Sequence, residues 1–229
     1  MNTKGIKAII FDSGRTLNVP TTGHWFITPD FYNIIGNSQF NYSYKQLDDA
    51  MGKASVHINK ILLVENEEQE FFMFKEFYKI VLDEINYPKV NNEIIELLAR
   101  DNVYNDEKFL FFDDVESSLK KLKEKYLLGA VSDTWPSLER VFINKKLRQY
   151  FSTFIMSSIH GSCKAEKILF KIAIEELDIK PQEALFVDDS EQNLDAGKEF
   201  GMTPILIDRY DRKNLQSKYP IIRSLNELQ

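Results

Sequence analysis

Apolar residues follow two different rhythms along this chain. In its outer parts they form short unbroken runs that stop at polar loops: Lys7-Ala-Ile-Ile-Phe11 before Asp12, Leu127 to Val131 running into Ser132, Phe151 to Met156, Ala184 to Val187 ending at Asp188-Asp189, and Thr203 to Ile207. Runs of this kind predict strands, most of them buried on both faces of a sheet. Between them, Asp114 to about Lys125, Pro136 to Asn144, Ala165 to Leu177 and Asn193 to Phe200 read as helices, with Gly201 placed to cap the last. Strands alternating with crossover helices predict an α/β fold, a doubly wound and mainly parallel sheet. Ligands in such sheets bind beyond the carboxyl ends of the strands.

From about Thr28 to Leu110 the rhythm is helical. The stretches Ser43 to Leu63 and Asn66 to Ile85 carry apolar residues three and four apart. In the second, Phe71, Phe74, Tyr78, Val81 and Ile85 form the stripe, widened by Phe77 and Leu82. The expected organisation is a core domain of residues 1–17 and 111–229, interrupted by an all-helical cap of residues 18–110 and joined to it by short polar segments near 17–30 and 103–113. The aromatics Phe71, Phe72, Phe74 and Phe77 read as the core of that bundle rather than as a ligand box.

At roughly 150 residues per domain, a chain of 229 residues has room for one domain and a large insertion. Its 43% hydrophobic and 28% charged residues describe a folded globular protein. The net charge of −6 is unevenly placed: residues 18–110 hold 8 Lys and Arg against 15 Asp and Glu, a net −7, which leaves +1 for the rest. A near-neutral core under an acidic cap disfavours nucleic acid as a partner. The apolar run near the start is too short for a signal-peptide core or a membrane span, and the single cysteine, Cys163, has no internal disulfide partner and reads as a small buried filler. A cytoplasmic protein with no membrane partner is expected.

Asp12, Ser132 and the pair Asp188-Asp189 fall at the ends of three predicted strands, and Lys164 opens another helix. Singly, such residues suit turns and helix caps. Together, at one sheet edge, they set a carboxylate, a hydroxyl, a cation and two adjacent carboxylates around one crevice. In order and spacing these segments resemble the four motifs of the haloacid dehalogenase superfamily, over nearly the whole chain. Ile10-Phe-Asp-Ser-Gly-Arg-Thr-Leu17 is similar to the first, with Asp12 at the nucleophile position and Thr16 at the threonine that pins the loop. Val131-Ser132-Asp133 is similar to the second, and Gly161-Ser-Cys-Lys164 to the third, with Ala165 where a proline is usual. Phe186-Val-Asp-Asp-Ser-Glu-Gln-Asn193 is similar to the fourth, and the helical insertion resembles the family's cap of the first type.

The resemblance implies a hydrolase whose Asp12 attacks phosphorus and forms an aspartyl phosphate. Its implied cofactor is Mg2+, held by oxygens of Asp12 and Asp189, by Asp188 directly or through water, and by the backbone carbonyl of Gly14. Ser132 and Lys164 would hold the phosphoryl oxygens, with Lys164 also on the nucleophile's carboxylate. Asn193 would orient the acidic loop or Lys164. The cap is expected to select a small phosphorylated metabolite, with Arg15, His24 and Trp25 directed towards it.

One position departs from the pattern. Phosphatases of this family usually carry a second aspartate two residues after the nucleophile, as general acid and base, and here that residue is Gly14. General acid–base help is typically worth about 10²–10⁴ in rate. Two other readings therefore stand beside a phosphatase: a nearly inactive protein that binds a ligand or partner, and cleavage of carbon–phosphorus or carbon–halogen bonds. Adjacent Asp188 and Asp189 favour a metal over dehalogenation. Lys53, a candidate Schiff-base lysine for phosphonate chemistry, reads as a solvated residue on a helix of mixed charge. Arg15 stands where a glycine commonly precedes the threonine.

Overall fold

The computed structural model describes residues 4–36, 42–213 and 215–228. The chain opens with β1 (Ala8–Phe11) and a ribbon strand β2 (Asn18–Pro20), then passes into α1 (Phe31–Ile35), α2 (Tyr44–Ile58), α3 (Glu67–Glu84) and α4 (Asn92–Tyr104). Strand β3 (Phe109–Phe111) returns antiparallel to β2. The remainder alternates: α5 (Val115–Leu122), β4 (Leu127–Ser132), α6 (Ser137–Asn144), β5 (Thr153–Met156), α7 (Ser157–His160), α8 (Ile168–Glu176), β6 (Ala184–Asp188), α9 (Glu191–Phe200), β7 (Thr203–Ile207) and β8 (Ile221–Ile222).

Six strands form one parallel sheet in the order β5-β4-β1-β6-β7-β8. Side chains alternate between the faces of a strand. Ile9 and Phe11 of β1 accordingly join one apolar cluster, while Ala8 and Ile10 join another. Both clusters are covered by helices, which is why the strands read as unbroken apolar runs. The register sets Phe11 level with Ala130 and Val187. Residues just beyond, Asp12, Ser132 and Asp188, therefore emerge together at the carboxyl edge.

The cap helices enclose a third cluster that runs from Ile27 to Val103, with Trp135 of the core packed against it. Each long cap helix begins where a polar side chain accepts the N–H three residues on: Ser43 with Gln46 in a capping box, Asn66 from Gln69, and Asn91 from Ile94. Phe71, Phe74 and Phe77 lie in this bundle core, whereas Phe72 is 55% exposed, because it falls off the apolar stripe.

Three expectations need correction. The polar connectors contain the β2–β3 ribbon, paired from Asn18 opposite Phe111 to Pro20 opposite Phe109. The helix expected from Ala165 is split, since Lys167 adopts φ +66 and leaves Lys164–Glu166 as a separate tight turn before α8. Cys163, expected as a small buried filler, is exposed on that turn.

Candidate active site

The nucleophile position follows β1 directly, and the loop after it is wound tightly around Ser13. The carbonyl of Ser13 accepts the N–H groups of Thr16, Leu17 and Asn18, and its hydroxyl accepts from Asn18 Nδ2 at 2.6 Å. Arg15 sits at the crest with φ +58. That left-handed conformation explains why glycine is common at this position of the motif. Thr16 is fully buried, but its Oγ1 makes no hydrogen bond among the described residues. Its carbonyl does the fastening instead, accepting Nε and Nη2 of Arg209 at 3.0 and 2.8 Å. Arg209 also donates Nη1 to both carboxylate oxygens of Asp114, at 2.9 and 2.8 Å, and lies over the Phe112 ring.

Lys164 is the hub of the site. Its side chain is 2% exposed, and Nζ donates to Asp12 Oδ1 at 2.6 Å and to Asp188 Oδ2 at 2.8 Å. Burial disfavours its charge, but Asp12 and Asp188, with Asp133 beyond, outweigh that and hold its pKa above the ordinary lysine value. Lys164 therefore stays a cation. Asp133, the residue after Ser132, accepts the backbone N–H of Lys164 at 3.0 Å and so fixes the turn that carries it.

Asp188 is surrounded by donors: Lys164, the N–H of Ser190 at 2.8 Å, and Asn193 Nδ2 at 3.2 and 3.0 Å from its two oxygens. Asn193 thus orients the acidic loop through Asp188. Ser132 Oγ lies 3.4 Å from Asp12 Oδ1. Burial pushes the Asp12 carboxyl up to about 7, with Lys164 opposing and Asp188 and Asp189 reinforcing. Oxygens of Asp12, Asp188 and Asp189 come within 4.8 Å of one another. Burial and the charge of Asp188 likewise raise the pKa of Asp189, and such a cluster of three hard oxygen donors is one that a cation would relieve, so these residues could hold a metal ion.

Above them lies a cavity of about 340 Å³ between core and cap. Asp12, Ser132, Lys164, Asn193, Gly14, Arg15 and Trp25 all line it. His24 does not: its Nδ1 accepts the N–H groups of Phe26 and Ile27 and its Nε2 lies 3.3 Å from Asp48. That ring is turned back on its own chain, satisfying the backbone donors two and three residues on rather than facing the cavity. Lys53 projects from the cap surface, its side chain 64% exposed, and pairs with Glu84.

Several lining residues gave no sign as site residues in the sequence reading. Glu70 of α3 is 1% exposed and accepts Ser137 N–H at 2.7 Å and Ser137 Oγ at 2.6 Å, a cap carboxylate closing the first turn of α6. Lys108 donates to the same Ser137 Oγ at 2.8 Å and to the carbonyl of Asn102 at 2.7 Å. Burial raises the Glu70 pKa and lowers that of Lys108, and their mutual attraction opposes both shifts. Beside this pair Arg140 of α6 joins the cap through Glu67 and Asp106. A charged residue in phase with Phe74, Phe77 and Val81 was the available signal for Glu70.

The fold is shared with known proteins. A family model described as haloacid dehalogenase-like hydrolase matches residues 6–201. Among solved structures, the chain is similar to a HAD phosphatase from Thermococcus onnurineus, with a TM-score of 0.63 and 23% identity over 97% of this chain and 96% of that one. It is also similar to the HAD-hydrolase YfnB from Bacillus subtilis, a magnesium-bound structure, at TM-score 0.68 and 15% identity over 97% and 96% of the two chains. A 2-haloacid dehalogenase from Pseudomonas syringae pv. Tomato DC3000 gives TM-score 0.66 and 15% identity over the same shares. Of curated sequences, mouse acyl-CoA dehydrogenase family member 10 is 32% identical over 62 residues, which span 27% of this chain and 6% of that protein. With the Asp12 loop, a hydroxyl, a lysine and an acidic pair gathered at one sheet edge and the family model spanning most of its length, the chain belongs to the haloacid dehalogenase-like hydrolases.

Proposed function

We propose that the protein is a Mg2+-dependent phosphatase that hydrolyses a small phosphorylated metabolite through an aspartyl phosphate on Asp12. The observation that carries this reading is the buried Lys164 bridging Asp12 and Asp188, with the carboxylates of Asp12, Asp188 and Asp189 converging beside it. Lys164 keeps Asp12 oriented and supplies fixed positive charge where a phosphoryl group would sit. Ser132 Oγ stands within reach of the same oxygen and can donate to the phosphoryl group. Mg2+ held by Asp12, Asp188 and Asp189, with the Gly14 carbonyl as a further oxygen, would supply additional charge neutralisation. The substrate is read as a small one met in the cytoplasm, since an acidic cap would oppose polyanions. Purified protein with Mg2+ should hydrolyse members of a phosphate-ester panel, and Asp12→Asn should abolish this. Turnover that survives Asp12→Asn or is unaffected by EDTA contradicts the proposal.

A second reading, a nearly inactive binding protein, is favoured by Gly14 alone. It predicts ligand binding with no turnover of any ester in the panel.

A further inference from the structure

Gly14 stands two residues after the nucleophile, and the space beside it is filled. A Cβ built on Gly14 would lie 3.0 Å from Cη2 and 3.3 Å from Cζ2 of Trp25. The indole is held there by an edge contact with Phe109 at 5.9 Å and by the Arg15 guanidinium over its face at 5.9 Å. An aromatic ring therefore crowds the position from which a carboxylate would reach the cavity. Of the other carboxylates lining the cavity, Glu70 has both oxygens engaged by the N–H and hydroxyl of Ser137, and Asp133 has its Oδ1 tied to the Lys164 N–H. The cavity wall is instead rich in flat apolar surface, from Trp25, Phe26, Phe74, Phe109 and Trp135.

From this juxtaposition we infer that the substrate is an aryl phosphate, whose leaving oxygen departs as a stabilised anion without a proton from the enzyme. The inference rests on the phosphatase reading above and names its substrate class. In the first step an Asp12 carboxylate oxygen forms a bond to phosphorus, the phosphorus–oxygen bond to the aryl group breaks, and its electron pair leaves with the phenolate oxygen, which takes a proton from bulk water. In the second step a water oxygen bonds to phosphorus, the bond to Asp12 breaks with its electron pair returning to the carboxylate, and the proton from water is carried off by the released phosphate. An aromatic leaving group both tolerates the missing acid and stacks on the rings that replace it.

The test is the dependence of kcat/KM on leaving-group acidity, measured with Mg2+ over phenyl phosphates bearing graded electron-withdrawing substituents and over simple alkyl phosphates. Because kcat/KM reports the step that expels the leaving group, it should fall steeply from nitrophenyl to phenyl phosphate. Alkyl phosphates should lie below phenyl phosphate by at least about 10²–10⁴, the contribution of a general acid. Gly14→Asp with Trp25→Ala, which clears the ring from the new side chain, should flatten that slope. Glu70→Gln should leave the slope unchanged. A flat dependence in the wild type, abolished by Asp12→Asn, overturns the inference while the phosphatase reading stands. A slope that steepens in Glu70→Gln also overturns it, by making Glu70 the acid. Failure to hydrolyse any ester of either kind removes the phosphatase reading, and the inference with it.

Discussion

Asp114→Asn offers a direct test of how the loop after Asp12 is held, since the perturbation lies well outside the cluster of Asp12, Lys164 and Asp188. Asp114 accepts two hydrogen bonds from Arg209, one from Ser224 Oγ at 2.7 Å and one from the N–H of Leu225 at 2.7 Å. Arg209 is 4% exposed in its side chain and Asp114 12%, so the pair is shielded from water. Burial alone would raise the Asp114 pKa, but the hydrogen bonds from Arg209 and Ser224, with the Arg209 charge and the Leu225 N–H, hold it below the ordinary carboxylate range. Removing one partner of a buried ion pair typically costs about 3–5 kcal/mol, because the other charge is left uncompensated. For a chain of this size that corresponds to a fall in Tm of about 6–20 °C. A folded-state pKa below the unfolded value gives stability that is complete above the unfolded pKa and lost as pH falls through the folded one. The gap between wild type and Asp114→Asn should therefore be full at pH 7 and shrink below about pH 4. Urea denaturation at both pH values reads it. Equal stability at pH 7, or a gap that persists unchanged in acid, would refute the role given to this pair.

Arg15→Gly should stabilise the fold by about 1 kcal/mol, since it relieves a non-glycine residue at φ +58; a loss of Tm would show that Arg15's contacts with Trp25 outweigh the backbone strain. Glu70 has its pKa raised in the folded state, so its contribution to stability is complete below the unfolded value and declines as pH rises through the folded one. The stability advantage of wild type over Glu70→Gln should accordingly narrow from pH 4.5 upwards towards neutrality, as followed by denaturant titration; a widening gap would contradict the assigned direction. Lys53→Met should leave turnover unchanged, and borohydride with a phosphonoaldehyde should trap no adduct at Lys53, given its exposed pairing with Glu84.

The parts of the fold legible in the sequence were those whose physics is local. Strands β1, β4, β6 and β7 are buried on both faces and so appear as apolar runs, and helices α2 and α3 show a one-sided stripe. The ribbon of β2 and β3 and the two-residue β8 were not legible, because strands of two or three residues, one containing Pro20, carry no periodicity. The same division holds at the site. Asp12, Ser132, Lys164 and Asp188 stand at strand ends or on the adjoining turn, where pattern alone places them. Arg209, Asp114, Glu70 and Lys108 act through contacts between residues 67 or more apart or between cap and core, apart from Lys108's bond to Asn102, and no local spacing announces such pairings. His24 shows the converse: a polar residue near the cap hinge suggested the substrate, yet its ring satisfies backbone donors two and three residues on.

The central claim, that Asp12 is a phosphorylated nucleophile activated beside Lys164, is tested most directly by intact-mass and peptide analysis after rapid quenching of the protein with Mg2+ and an aryl phosphate. The account predicts one phosphoryl group on Asp12 in the wild type and none in Asp12→Asn. A phosphoryl group on another residue, or turnover in Asp12→Asn at the wild-type rate, would contradict it.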